Sequence, residues 1–451
     1  MKRKLKTGER RRAAAQMHAL AAVRREIGAR DRASGRKYLQ EFGQAFPDYE
    51  RTLTSDDLHD RVTAADILLV GDYHSLAASQ RFTASLIERL ALVRPIVLGV
   101  EAVLSRDQEI VESWWRREIS EDELRRRLRF DKDWGYDWAP FLELLVAARD
   151  HGEGIYGLDC LPRDDFRRIH SRDRHAAAKI REMRERHPEA RILVLFGESH
   201  LAPRHLPARI REILPQQSVL AILQNLDSLY WKAAGEEAKA VAIHQEAVCV
   251  FNSSPLEKYE SYRTWMAKWE GDDQPDFAPA VYNVIMSLTR TLGFRLDSPH
   301  NGVQPKFLAD LLPEVIAVDD NGEGCGLAAP PDSSSDECRI SGDEIRAALD
   351  ERGCIYVARS NAFFIREFHT AWVAAESARF LHRACTATIR AQSSPDPKLE
   401  ETLALFGSRL LCPNDVSPNP SFESQAEALY QEFLAGRLKK SAIRRMFLAR
   451  L

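Results

Sequence analysis

No two of the seven cysteines form a C-x-x-C pair, and their number is odd. That leaves zinc knuckles, dithiol redox motifs and covalent haem attachment without a basis, and scattered single thiols suit a reducing compartment. No run of about twenty apolar residues occurs, so no transmembrane helix is expected. The opening Met1-Lys2-Arg3-Lys4 is basic, as a secretory leader would be. It continues into Gly8-Glu9-Arg10-Arg11-Arg12, and Gln16 and His18 break the apolar run Ala13 to Val23. With no small-residue cleavage site and no lipid-accepting cysteine near the start, a cytoplasmic protein is expected. A net charge of −3 gives the whole molecule no electrostatic pull on nucleic acid. Aromatic residues are missing before Tyr38, and residues 2–37 hold thirteen Lys/Arg against three acids. Residues 1–58 therefore read as a basic helical arm, solvated and loosely packed, whose first 36 residues the fold does not need. A grip on phosphates or an anionic membrane is the alternative.

What is present is globular in balance, 44% hydrophobic and 29% charged over 451 residues, enough for two or three domains of roughly 150 each. From residue 65, short apolar runs alternate with helical patterns. Ile67–Val70, Ile96–Val100, Gly154–Leu158, Arg191–Phe196, Val219–Leu223 and Val248–Phe251 read as strands, each apolar throughout. Between them, Ser79–Leu92, Arg106–Glu118, Trp138–Arg149, a charged stretch Asp164–His187, and Leu206–Leu214 read as helices. Ser120-Glu121-Asp122-Glu123 looks like a capping box opening another. The fold class is α/β, a mostly parallel sheet covered by helices on both faces over residues 59–270. After Gly271-Asp272-Asp273-Gln274-Pro275 the pattern turns mainly α-helical, 271–451. Its helices are placed at 279–292, 304–312, 343–352, 363–390 and from 424. Val315–Val318 and Ile355–Ala358 read as a strand pair, with a Gly/Pro/Ser/Asp-rich loop between them.

Three strands end on chemistry-bearing residues: Gly71-Asp72-Tyr73-His74, Glu101, and Gly197-Glu198-Ser199-His200. In an open α/β sheet, ligands bind beyond the strand carboxyl ends, so these should converge. Glycine after each strand would allow a tight turn. Two imidazoles and a carboxylate make a ligand set for Zn²⁺, Mn²⁺ or Fe²⁺; without metal they make a general base and an electrophile. Asp72 and Glu198 would support them. Trp114, Trp115, Trp134, Tyr136 and Trp138 either line an apolar ligand pocket or pack the core. Arg163 either binds an anion or forms a salt bridge to Asp159, Asp164 or Asp165. His170, His175, His187 and His205 read as surface residues.

From 65 to about 270 the chain resembles the ChaN-like domain of the haem-binding-uptake and Tiki superfamily, which also includes TraB proteins and erythromycin esterases. The resemblance rests on Gly71–His74, Glu101, Trp134-Gly135-Tyr136-Asp137-Trp138-Ala139-Pro140, Leu158-Asp159-Cys160-Leu161-Pro162-Arg163, and Gly197–His200, in that order. The first motif carries Asp72 where the family usually has Glu. The resemblance implies an active centre at His74, Glu101 and His200. The leading function it implies is binding of haem or a metal-centred ligand in the crevice of these three residues; the alternative is a hydrolase, metal-dependent or His/Glu-based, that cleaves an ester or peptide bond. For haem, Tyr73 would be an axial ligand, Arg163 would meet a propionate, and Tyr136 would lie along the pocket. A scaffold with a decayed site is the third reading.

Overall fold

The computed structural model describes residues 7–30, 37–161, 163, 169–233, 238–269, 276–294, 312–318, 342–386, 388, 396–413 and 420–449. These form two compact units, Asp31–Lys258 and Met1–Arg30 with Tyr259–Leu451. The sequence reading divides the chain instead at 58 and 270.

The first unit is an eight-stranded sheet. Its strands are β1 (Arg51–Leu53), β2 (Ile67–Asp72), β3 (Ile96–Leu104), β4 (Gly154–Asp159), β5 (Arg191–Gly197), β6 (Val219–Gln224), β7 (Ala240–His244) and β8 (Ala247–Val250). They lie in the order β1-β7-β8-β6-β2-β5-β3-β4. Pairing is parallel from β8 to β4, and only the β1–β7 and β7–β8 pairs are antiparallel. Successive residues of β2 serve opposite faces: Leu68 and Val70 join one core and Ile67 and Leu69 the other. Helices Ala77–Ala91 and Trp138–His151 cover the first core, and helices Ile169–Arg186 and Leu206–Ile213 cover the second. A sheet buried on both sides needs strands without polar alternation, which is why these read as solid apolar runs. Trp114 is fully buried in the first core and Trp138 nearly so, which settles them as packing residues.

Two neighbouring strands on one side of this sheet escaped the sequence reading. β1 lies inside the supposed arm, and β7 within a stretch left unassigned. The helix Lys37–Ala45 also belongs to this unit, and Phe46 just after it is buried in the second core.

The second unit is mainly helical, with helices Ala278–Leu292, Thr370–Thr386, Pro397–Leu411, Pro420–Leu434 and Lys440–Phe447 among its elements. It also holds a small sheet of β9 (Glu314–Ala317), β10 (Cys354–Val357) and β11 (Ala362–Ile365), in the order β10-β11-β9. The two strands read from sequence do not pair with each other; both pair with β11, which the helical reading of 363–390 had absorbed. Four consecutive buried residues, Ala362 to Ile365, fit either element by pattern alone. The linker 271–275, residues 304–311 of one expected helix, and the loop 319–336 lie outside the described residues.

The basic helix Thr7–Arg30 is not loosely attached. Ala19, Leu20, Val23 and Ile27 form a buried stripe at helical spacing, and the helix packs on Ala278–Leu292, Pro397–Leu411 and Pro420–Leu434. Leu20→Ala should therefore cost about 2–5 kcal/mol, as for other buried leucines. Urea denaturation of the full chain checks this: the transition of the helical unit should fall to lower urea, whereas a loose arm would leave it in place.

Candidate functional site

Glu101 is the centre. It sits where the β3–β4 register shifts, between Val100 and Leu104, and an irregularity of this kind re-aims a side chain without ending the strand. The strand thus runs past Glu101 rather than stopping at it. One carboxylate oxygen, Oε1, accepts from the Arg172 guanidinium at 2.6 Å; the other, Oε2, accepts from the Gly197 N–H at 2.5 Å. His74 Nε2 lies 3.8 Å from Oε2, and His200 Nε2 lies 3.8 Å from Oε1. The two histidines and the glutamate expected from sequence are therefore side by side, with Glu101 between the rings.

Each ring is backed by an aspartate. Asp72 Oδ2 is 2.8 Å from His74 Nδ1, and Gln80 holds the other Asp72 oxygen at 2.5 Å. Asp173 Oδ1 is 2.6 Å from His200 Nδ1. A carboxylate only accepts, so each Nδ1 carries a proton, and in the neutral form of either ring the lone pair lies on the Nε2 beside Glu101. The strand-end glycines serve close approach rather than turning, since neither has positive φ. A Cβ on Gly197 would meet Glu101 Oε2 at 2.9 Å and His74 Nε2 at 3.2 Å.

Burial opposes charge on both Glu101 and His74, and in both cases the surroundings win. Arg172, the two imidazoles and the Gly197 N–H hold the Glu101 carboxyl below the usual range. Asp72, by charge and hydrogen bond, and Glu101 hold the His74 imidazole above its ordinary value.

Arg172 and Asp173, which the sequence reading left in a charged helix, are the decisive additions. Arg172 also binds Asp159 through two nitrogens, at 2.8 and 2.9 Å. The clue in the sequence is phase: Ile169, Ala176, Ala177, Ile180 and Met183 form the buried stripe of that helix, and 172 and 173 fall on it. A third addition is Tyr38, whose hydroxyl lies 2.9 Å from His200 Nδ1.

Other expected residues fare differently. Arg163 takes the salt-bridge alternative, pairing with Asp159 at 2.7 Å and donating to the Glu101 and Ala102 carbonyls at 2.9 Å each. Those bonds fasten the end of β3. Tyr73 turns its ring toward the Lys258 ammonium, 4.6 Å away, and Lys258 in turn binds both Glu198 oxygens. Trp134 and Tyr136 do border the site, with ring centres 4.5 and 5.2 Å from that of His74. His205 is buried, not at the surface. Among the described residues, no group of three or more His, Cys, Asp or Glu side chains is arranged to hold a metal ion. At Glu101 a guanidinium and a backbone N–H each bond one carboxylate oxygen, so a cation there would compete with both.

An open, mostly parallel sheet with an ionised Glu between two aspartate-backed imidazoles defines the class: an α/β domain with its site at the strand carboxyl ends. Residues 58–191 match the family model for haem-binding uptake, Tiki superfamily, ChaN, so the α/β unit carries a ChaN-like domain of that superfamily. Among solved structures, ChaN of Campylobacter jejuni with cofacially bound haem is similar over 40% of this chain and 92% of its own, at 14% identity and a TM-score of 0.29. The type III effector HopBA1 is similar over 46% of this chain and 98% of its own, at 13% identity and a TM-score of 0.34. Comparison with curated proteins gives no match.

Replacing Arg172 by Met leaves Glu101 and Asp159 buried without their shared cation. A loss of about 3–5 kcal/mol is expected for stripping one partner from a buried pair. A depressed carboxyl stabilises the fold above its unfolded pKa and loses that contribution as pH falls toward the folded value. Acid unfolding of Arg172→Met should therefore begin at higher pH than in the parent, as followed by circular dichroism. Superimposable acid transitions would show that Arg172 does not hold Glu101 ionised.

Proposed function

We propose that the α/β unit is a metal-independent hydrolase, with His74 as the base that activates water and Glu101 and His200 as the polar wall of the reaction centre. The observation that carries this is the pair of Asp–His couples whose Nε2 atoms both face Glu101, 3.8 Å away. An imidazole with its Nδ1–H held by a carboxylate is oriented to take a proton at Nε2, and the carboxylate stabilises the imidazolium that forms. His74 has the role of base because it is the more accessible ring, 22% exposed against 4% for His200. The bond cleaved would be an ester or a peptide.

A second reading, binding of haem, is supported by the family match and by the aromatic pair Trp134 and Tyr136 beside His74. A flat porphyrin suits such a wall, and an aspartate-backed imidazole is a sound iron ligand. The hydrolytic reading comes first because two Asp–His couples beside one carboxylate are an acid–base arrangement. A divalent metal would have to compete with Arg172 and the Gly197 N–H for the Glu101 oxygens.

The test is hydrolysis of a panel of p-nitrophenyl esters and short peptides by the full chain, with and without chelator. Turnover should survive the chelator and fall about 10²–10⁴-fold in His74→Ala. The base works only when neutral, and its pKa is raised, so the rate should rise with pH with a midpoint above the ordinary imidazole value of about 6.5. Asp72→Asn should move that midpoint down. Turnover abolished by chelator and restored by metal would overturn the metal-independent mechanism. Absence of turnover together with a Soret band that haem produces in the parent, but not in His74→Ala, would replace it by the haem reading.

A further inference from the structure

The helix Lys37–Ala45 precedes the residues that the family model covers, yet its first turn reaches the rear of the site. The Tyr38 hydroxyl lies 2.9 Å from His200 Nδ1 and 3.2 and 3.3 Å from the two oxygens of Asp173. Its ring stacks on His205 at 3.7 Å between centres and presents an edge to His200 and to His170. His205 is fixed in turn by the Ser199 carbonyl at 2.8 Å and by Glu41 at 3.1 Å. Tyr38 and Glu41, three residues apart and so on one helical face, thus clamp the turn that carries His200.

We propose that Tyr38 is a positioning residue for the proton chemistry of this site, its hydroxyl locking Asp173 so that His200 keeps its Nδ1 proton and holds Nε2 toward Glu101. The inference rests on the acid–base reading of the site. Asp173 is fully buried, and a carboxylate there needs every donor it has. His200 Nδ1–H supplies one and the Tyr38 O–H another, while His170 Nδ1 stands 3.9 Å from the second oxygen. With the phenol in place the carboxylate has a single orientation. Without it, the group can swing about its Cβ–Cγ bond and the Asp–His couple loosens. Burial and the Asp173 charge both push the Tyr38 hydroxyl far up, so the phenol stays a neutral donor across the working range. A phenylalanine would keep the stacking and lose only the lock.

Tyr38→Phe isolates that hydroxyl, and Glu41→Gln is the control that weakens the clamp but leaves the phenol. In proton NMR of the full chain, an imidazole Nδ1–H held by a carboxylate gives a far-downfield resonance, assigned here by its absence from His200→Ala. Tyr38→Phe should broaden or shift this resonance, whereas Glu41→Gln should leave it. With the ester found in the hydrolysis panel, Tyr38→Phe should lower kcat about tenfold and leave KM unchanged, with the thermal midpoint close to that of the parent. An unchanged His200 resonance in Tyr38→Phe overturns the proposal, and so does an equal effect of Glu41→Gln, which would make the helix a packing device only. If no substrate is turned over, the hydrolytic reading fails by itself, and the resonance still decides the role of Tyr38.

Discussion

The contact between Arg172 and the Glu101 carboxylate, extended to Asp159, is the constraint on which the site depends. Glu101 and Asp159 come from neighbouring strands, and both are almost wholly buried. Two buried carboxylates that close would cost several kcal/mol each without a counterion. One guanidinium serves both because it is planar and presents donors on two edges, which a lysine could not do. Its position is inherited from the helix Ile169–Arg186, whose apolar stripe is pinned to the sheet. The core packing of that helix therefore sets where the charge sits, and the charge sets whether Glu101 can be ionised between two imidazoles.

Residues 95 to 125 positions apart converge because the sheet is parallel. Asp72 pairs with Gly197 across β2 and β5, and Val100 pairs with Leu195 across β5 and β3. Right-handed crossovers bring every carboxyl end of such strands to one edge. This part was legible in the sequence at β2 and β5, where solid apolar runs pass into Gly-x-x-His; at β3 the strand runs on past Glu101. What escaped reading was whatever depended on helix phase or on weak strands. Arg172 and Asp173 are charged residues on a buried helical stripe, and the habit of assigning charged residues to solvent hides them; Tyr38 is the one buried residue of a short helix in a segment read as a solvated arm. β1, at three residues, and β11, with its four buried positions, carry too little pattern to be told from loop or helix. The basic helix at the start was misread for a related reason: thirteen cations within residues 2–37 mask a stripe only four residues deep.

The charge count of the site bears on what it can bind and do. Asp72, Glu101, Asp159 and Asp173 bring four formal negative charges, and Arg163 and Arg172 return two positive ones. With both imidazoles neutral the centre is therefore negative, and each proton taken up by a ring relieves it. Such a field disfavours an anion at the rings, so the propionates of a haem would have to point away from them. It favours an imidazolium, which is the species a histidine becomes as it draws a proton from water. A free divalent cation would feel the same attraction, but at Glu101 it would compete with Arg172 and the Gly197 N–H, and at each aspartate with its histidine. The negative field therefore suits a proton better than an anion, and of the two rings His74 is the more exposed.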